Sequence, residues 1–180
     1  PAIGNAPLKE NLAAGLLKMT EWNGTKPLVD LMCGSGTFLI EAINQILKVP
    51  LKSQQFYLFE NWLDFKKDIY LDEKNKAQKK VITSEKLSKI IGCEINKDVF
   101  DQAKVNIKLA GLENYIELQN DDFKKIQFKS SEGLVLCNPP YGKKLGDENE
   151  LINLYEDMGE FLKRNFSGWE FWLLSGNPSL

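Results

Sequence analysis

The sequence predicts an α/β fold, a mostly parallel and twisted sheet with helices on both faces. Three observations carry that expectation. Five short apolar runs alternate with segments of helical period, the order that a parallel sheet covered on both faces requires. The first run, PLVDLM (Pro27–Met32), leaves through a glycine turn, CGSGTF, into a helix and so opens a βαβ unit. The fourth, GLVLCN, ends in Asn-Pro-Pro-Tyr; two prolines cannot extend a ladder, so the chain leaves that strand in a stiff turn.

Taken in order, PLKENLAAGLLKM (Pro7–Met19) spaces Leu8, Leu12, Leu16 and Met19 as one helical face, with Pro7 suited to a first turn. After the strand at 27–32, TFLIEAINQIL (Thr37–Leu47) reads as a helix. From Lys48 to Ser88 an aromatic stretch, FYLFENWLDF, and a charged one with sparse apolar positions delay the second strand; the charged part reads as a solvated helix or a partly mobile excursion, with a basic recognition surface as the alternative. Alternation resumes with LSKIIGCEI as a strand, then a helix starting at the N-cap candidate Asn96 and stopping at Gly111, then the strand YIELQN. GLVLCN, the helix ENELINLYEDMGEFLKRNF and the strand WEFWLLS complete the series, and no internal repeat is visible.

Composition narrows the chemistry. The 180 residues fit one domain, 43% are hydrophobic, and no apolar run approaches the length of a membrane span. There is no histidine, which excludes Ser-His-Asp, Cys-His and His-ligated metal sites. Cys33, Cys93 and Cys137 lie far apart without a CxxC pair, so reduced, buried thiols in a cytoplasmic protein are expected and no metal site is. The net charge of −2 is uneven: residues 1–90 hold 13 Lys/Arg against 10 Asp/Glu, and residues 91–180 hold 10 against 15. Scattered lysines are not the basic stripe of a nucleic-acid binder, so if the chain acts on nucleic acid most of the grip is expected elsewhere. The chain starts at Pro1 with no leader, and the expectation is a fragment of a longer protein that is not secreted.

In an open α/β sheet, ligands bind beyond the carboxyl ends of the strands, so the candidates are read off strand ends. In DLMCGSGTF, Gly34 and Gly36 allow backbone to approach a ligand at a helix N-terminus, while Asp30 disfavours phosphate and favours an amine or sulfonium. The run lacks both the GxGxxG spacing and the P-loop lysine. Glu94 ends the second strand, where a carboxylate can accept from both hydroxyls of a ribose; an ordinary helix-start acid is the plain alternative. Asp121 and Asp122 end the third strand, where one of them could accept from an adenine amine while the next amide, that of Phe123, meets a ring nitrogen; a simple turn is the alternative. At the end of the fourth strand, Asn138, Pro139, Pro140 and Tyr141 are the last candidates, held in a stiff turn by the two prolines.

In this order the pieces resemble the class I S-adenosylmethionine-dependent methyltransferases with a Rossmann-like fold. DLMCGSG looks like their cofactor loop, CEIN their ribose acid, NDDF their adenine contact, and NPPY the tetrapeptide of those that methylate an amino or amide nitrogen. APLKENLAAGLL, FENW, NIKLAGL, NPPYGKKLG and SGNPSL extend the resemblance over nearly the whole chain to the catalytic domain of the bacterial 23S rRNA guanine-N2 methyltransferases. These belong to a THUMP-associated group often labelled N6-adenine-specific DNA methylases.

The resemblance implies a catalytic set of Asn138, Pro139, Pro140 and Tyr141. It implies a cofactor set of Asp30, Cys33, Gly34, Ser35, Gly36, Thr37, Glu94, Asp121, Asp122, Phe123 and Asn138, with Asp122 preferred over Asp121 for the adenine. Glu94 stands where these rRNA enzymes more often carry Asp. The implied cofactor is S-adenosylmethionine and the implied partner RNA, 23S rRNA in a ribosome precursor. Residues 1–180 are then one catalytic domain, with an N-terminal THUMP-type RNA-binding domain and a last antiparallel hairpin expected outside it. Glu10 resembles an element near the methionine end of the cofactor, or is an exposed helix acid. Lys143 and Lys144 are either phosphate contacts or a solvated pair. Phe38, Trp62, Trp169 and Trp172 are expected in packing rather than as base platforms. Competing readings are an N6-adenine methyltransferase on DNA or RNA, a protein glutamine methyltransferase, and a non-catalytic cofactor-binding ribosome-assembly module.

Overall fold

The computed structural model describes residues 8–48, 57–79, 87–141 and 148–176. Among these, five strands form one parallel sheet: β1 (Leu28–Asp30), β2 (Ile90–Cys93), β3 (Ile116–Gln119), β4 (Leu134–Cys137) and β5 (Glu170–Leu173), in the spatial order β3-β2-β1-β4-β5. The order reverses between β1 and β4, which pair with Val29 beside Val135. That reversal opens the crevice in which doubly wound sheets hold their ligands.

The helices are α1 (Glu10–Met19), α2 (Thr37–Leu47), α3 (Lys67–Gln78), α4 (Lys97–Ala110) and α5 (Glu148–Asn165). The strands alternate sides as a pleat demands. Leu28, Ile90, Leu134 and Leu136 join Ala13, Leu39, Ile43 and Ile107 in a core on the face covered by α1, α2 and α4. Val29, Ile91, Val135 and Cys137 join Met158, Phe161, Leu162 and Phe166 in a second core on the α5 face. At Gly92 the first layer touches the sheet directly, since a Cβ there would lie 2.3 Å from Leu39 Cδ1.

Local signals placed α4 well. The Asn96 side chain accepts the Asp98 and Val99 amides, and Gly111 takes the left-handed conformation that ends the helix. The expected face of α1 is corrected. Ala13 and Leu17 are its buried positions, Leu8 and Leu16 are partly buried, and Leu12 and Met19 face outward. The small Ala13 lets α1 approach α2 closely, and that contact sets the rotation of the helix. Pro7 lies outside the described residues.

The excursion after α2 is helical and solvated, as its charge suggested: α3 buries none of its residues. A short 3-10 turn, Leu58–Asn61, precedes it, and the ring of Phe59 gathers Tyr57, Trp62, Phe65 and Tyr70 around itself. Trp62 is therefore not core packing; it is 67% exposed, because this aromatic cluster packs on itself. Phe38 and Trp169 are buried as expected, and Trp172 is partly buried at the sheet edge. The second face is also less complete than expected along β5, where Phe171 and Leu173 remain exposed. No helix among the described residues is long and apolar enough to cross a membrane.

Candidate active site

The carboxyl ends of the five strands are tied into one rim. From β1, the Cys33 amide donates to the Cys93 carbonyl at 2.8 Å, and the Gly36 amide closes the glycine turn on the Cys33 carbonyl at 2.9 Å. Gly34 and Gly36 both have positive φ, 56° and 86°, the left-handed region that side chains other than glycine rarely adopt. A Cβ at Gly34 would meet nothing within 4 Å, so this part of the turn faces open space, as a close backbone approach to a ligand requires. Ser35 and Thr37 set their hydroxyls 3.5 Å apart at the start of α2, and Asn106 of α4 donates to the Ser35 carbonyl at 3.0 Å. Cys33 and Phe38 face the core, so Cys33 offers the rim its backbone only.

From β2, Glu94 is held in a defined pose. One carboxylate oxygen accepts the Gly34 amide at 3.1 Å, and the other accepts the Asn96 amide at 2.8 Å. Each oxygen keeps further acceptor capacity for a diol. Asn120 donates its side-chain amide to the Glu94 carbonyl at 2.8 Å, binding the β2 end to the β3 end.

From β3, the two aspartates part ways. Asp121 pairs with Lys125 at 2.7 Å on the surface and accepts the Asp122 amide at 2.8 Å, and Lys125 foremost holds its carboxyl below the usual range. Asp122 accepts the Lys124 amide at 2.9 Å and caps the short turn Phe123–Lys125. The Phe123 ring is buried against Phe161, while its amide has no hydrogen bond among the described residues.

Asp30 lies beneath the rim at 1% exposure and accepts the Met32 amide at 3.2 Å. Burial pushes its carboxyl up to about 7; the Met32 amide and the Cys137 thiol act in the opposite direction, and the charge of Glu94 adds to the rise. Burial likewise pushes the Cys93 thiol up to about 11, and that thiol donates to the Asp121 carbonyl at 3.0 Å. All three cysteines are free and buried, which makes them poor thiolates.

From β4, across the reversal from the glycine turn, come Asn138, Pro139, Pro140 and Tyr141. Pro139 is buried, and Tyr141 is 41% exposed. The Asn138 side-chain oxygen is shielded from solvent and has no hydrogen-bond partner among the described residues. Lys143 and Lys144 lie outside the described residues, and Glu10 is an exposed acid in the first turn of α1.

The structure therefore brings Asp30, the Cys33–Thr37 turn, Glu94 and the Asp121–Phe123 and Asn138–Tyr141 segments to one edge. The sequence reading missed Asn106 and Asn120, whose acceptors lie 71 and 26 residues away. Among the described residues, no three His, Cys, Asp or Glu side chains form a metal-binding group.

Fold and rim together define a Rossmann-like α/β domain whose candidate site lies at the carboxyl edge of the sheet, at the reversal of strand order. The chain belongs to the family of RMKL-like methyltransferase domains, whose model matches residues 1–180. The Synechocystis sp. protein slr0064, named as an RNA methyltransferase, is 40% identical over all of this chain and 47% of its own length. The ribosomal RNA large subunit methyltransferase K/L of Chromohalobacter salexigens is 36% identical over 98% of this chain and 26% of its own. SMU.472, solved in complex with SAH, superposes with a TM-score of 0.88 at 28% identity, covering 97% of this chain and 46% of that one. The chain thus spans between a quarter and a half of the length of these relatives.

Proposed function

We propose that this domain transfers a methyl group from S-adenosylmethionine to an exocyclic amino nitrogen of a nucleobase, N2 of a guanine in 23S rRNA, as a cytoplasmic enzyme. The observation that carries the reading is the unpaired, shielded oxygen of Asn138. A buried acceptor without a donor costs about 1–3 kcal/mol, and such a group calls for a functional reason. An amine bound at the end of β4 supplies the missing donor.

The residues fit the cofactor. The glycine turn opens onto unfilled space at Gly34, and Glu94 beside it is oriented for ribose hydroxyls. The unengaged Phe123 amide and the Asp122 carboxylate suit an adenine edge, and Asp122 is preferred because Lys125 draws Asp121 to the surface. The Glu94 and Asp122 carboxylates give the rim a field that favours a cation, while Lys125 offsets Asp121 and the raised carboxyl of Asp30 is only partly charged near neutral pH. The cofactor brings its methyl group already activated on a sulfonium.

The protein's own part is to prepare the nitrogen. Accepting hydrogen bonds at Asn138 and at the Pro139 carbonyl returns ring-delocalised electron density to the amine, and the prolines fix both acceptors before the substrate arrives. Tyr141 stacks on the base. The nitrogen becomes acidic only as it is alkylated, so its proton leaves to water and no histidine base is needed. The choice of large-subunit rRNA is supported by the name of a relative, and the choice of guanine rests on the sequence resemblance alone.

The test has two parts. Asn138→Ala in the full-length chain is expected to lose methylation while keeping affinity for S-adenosylhomocysteine; undiminished methylation overturns the site. Mass spectrometry of nucleosides from a deletion strain is expected to show reduced N2-methylguanosine in 23S rRNA. Loss of N6-methyladenosine instead, with N2-methylguanosine intact, transfers the assignment to adenine.

A further inference from the structure

The stretch SGNPSL is unused by the proposed chemistry, and its first two residues, Ser175 and Gly176, are described. A Cβ placed on Gly176 would lie 2.7 Å from both Cδ2 and Cε2 of the Tyr141 ring and 3.6 Å from Cγ. Separations under 3 Å are not tolerated between carbon atoms, so an added methyl would displace the ring. Gly176 is not among the positive-φ glycines, so its backbone admits an alanine and the ring alone constrains the position.

The surroundings hold this shelf in place. The Leu174 amide donates to the Cys137 carbonyl at 2.9 Å, which fixes the chain after β5 alongside the strand that delivers the tetrapeptide. Tyr155 of α5 brings a shielded hydroxyl next to Ser175; burial foremost raises its pKa, Ser175 acts in the opposite direction, and Cys137 and Tyr141 add to the rise. Tyr141 nevertheless keeps 41% of its surface exposed.

We infer that Gly176 is a positioning residue for base capture: its bare Cα supports the Tyr141 ring and sets the plane on which the base is stacked. This rests on reading residues 138–141 as the amine-acceptor site. Two prolines fix the backbone of the tetrapeptide but leave the tyrosine ring free about its own side-chain bonds. Contact with Gly176 removes that freedom from outside the tetrapeptide. A misplacement of about 1 Å in such a group can cost a factor of about 100 in rate.

A four-protein cycle in the full-length chain tests this: wild type, Gly176→Ala, Tyr141→Ala and the double variant. Each is assayed with S-adenosylmethionine and deproteinised 23S rRNA from a deletion strain. Gly176→Ala is expected to lower kcat about 10- to 100-fold. The unfolding midpoint and the affinity for S-adenosylhomocysteine should not change, because the ring can swing outward. In the Tyr141→Ala background the same alanine should do nothing further, the signature of two residues acting through one contact. Unchanged kcat in Gly176→Ala, or losses that simply add, overturns the inference; if Tyr141→Ala still inactivates, the acceptor site itself stands. If Tyr141→Ala leaves methylation intact, the site reading fails and the inference fails with it.

Discussion

The carboxylate of Glu94 accepts the backbone N–H of Gly34 at 3.1 Å, across 60 residues of sequence. This bond joins the ends of two neighbouring strands on one side of the crevice, the glycine turn after β1 and the acid after β2. It also aims the acid, because the Asn96 amide holds its second oxygen.

Removing that carboxylate should be costly for ligand binding. Hydrogen bonds to charged groups contribute about 1.5–3 kcal/mol, so Glu94→Ala is expected to weaken S-adenosylhomocysteine binding by about 10- to 100-fold in calorimetric titration. Asn96→Ala serves as the contrast. It deletes the cap of α4 and should cost about 1 kcal/mol of stability, yet it keeps the backbone N–H that Glu94 uses and so should leave affinity unchanged. Equal losses of affinity in both variants would remove the ribose role of Glu94.

At Gly92, an alanine would place its methyl 2.3 Å from Leu39 Cδ1 and 3.0 Å from both Cys33 Sγ and Leu118 Cδ2. Overpacking of this kind costs about 1–3 kcal/mol, and here it pushes α2 off the sheet and disturbs the turn that precedes it. Gly92→Ala should lower the stability measured by urea unfolding by that amount and also weaken cofactor binding. A wild-type midpoint would show that α2 can shift without penalty.

Asp30 makes stability depend on pH. In the folded chain its carboxyl is pushed up to about 7 from an ordinary 3.8, mainly by burial. The folded state therefore holds this proton more tightly than the unfolded chain does. The resulting stability is fully present below about pH 4 and is lost as the pH rises through about 7, at most on the order of 4 kcal/mol in total. The carboxamide introduced by Asp30→Asn has no such proton to lose. The stability of Asp30→Asn relative to wild type should therefore rise between pH 4 and pH 8 in urea unfolding, and parallel pH profiles would show that Asp30 titrates alike in both states.

Legibility from sequence followed the range of the interaction involved. Asn96 and Gly111 were readable because capping is settled within one helical turn. The positions of Glu94 and the Asn138–Tyr141 segment at the carboxyl edge were readable because each directly follows an apolar strand of a parallel sheet. The face of α1 was misjudged because leucines occur on several sides of that helix, and only the close fit of Ala13 against α2 decides among them. Trp62 packs as expected, but on Phe59 in an outlying aromatic cluster rather than in the core, a distinction that sequence alone does not carry. Asn106, Asn120 and Gly92 carry no local mark, since each matters through a residue brought up by the fold: Ser35, Glu94 and Leu39.

The excursion between α2 and β2 leaves and rejoins the domain at the edge of the sheet away from the rim. α2 runs back from the glycine turn to end at Leu47, and the chain returns at Ser88, whose amide donates to the Gly24 carbonyl at 2.9 Å ahead of β1. For protein engineering this is a natural splice point. Doubling the length of a flexible connection costs only about 0.6 kcal/mol in closure entropy. A fluorescent reporter or affinity handle grafted between Lys48 and Leu87 would join the domain on the side of the sheet opposite its carboxyl rim.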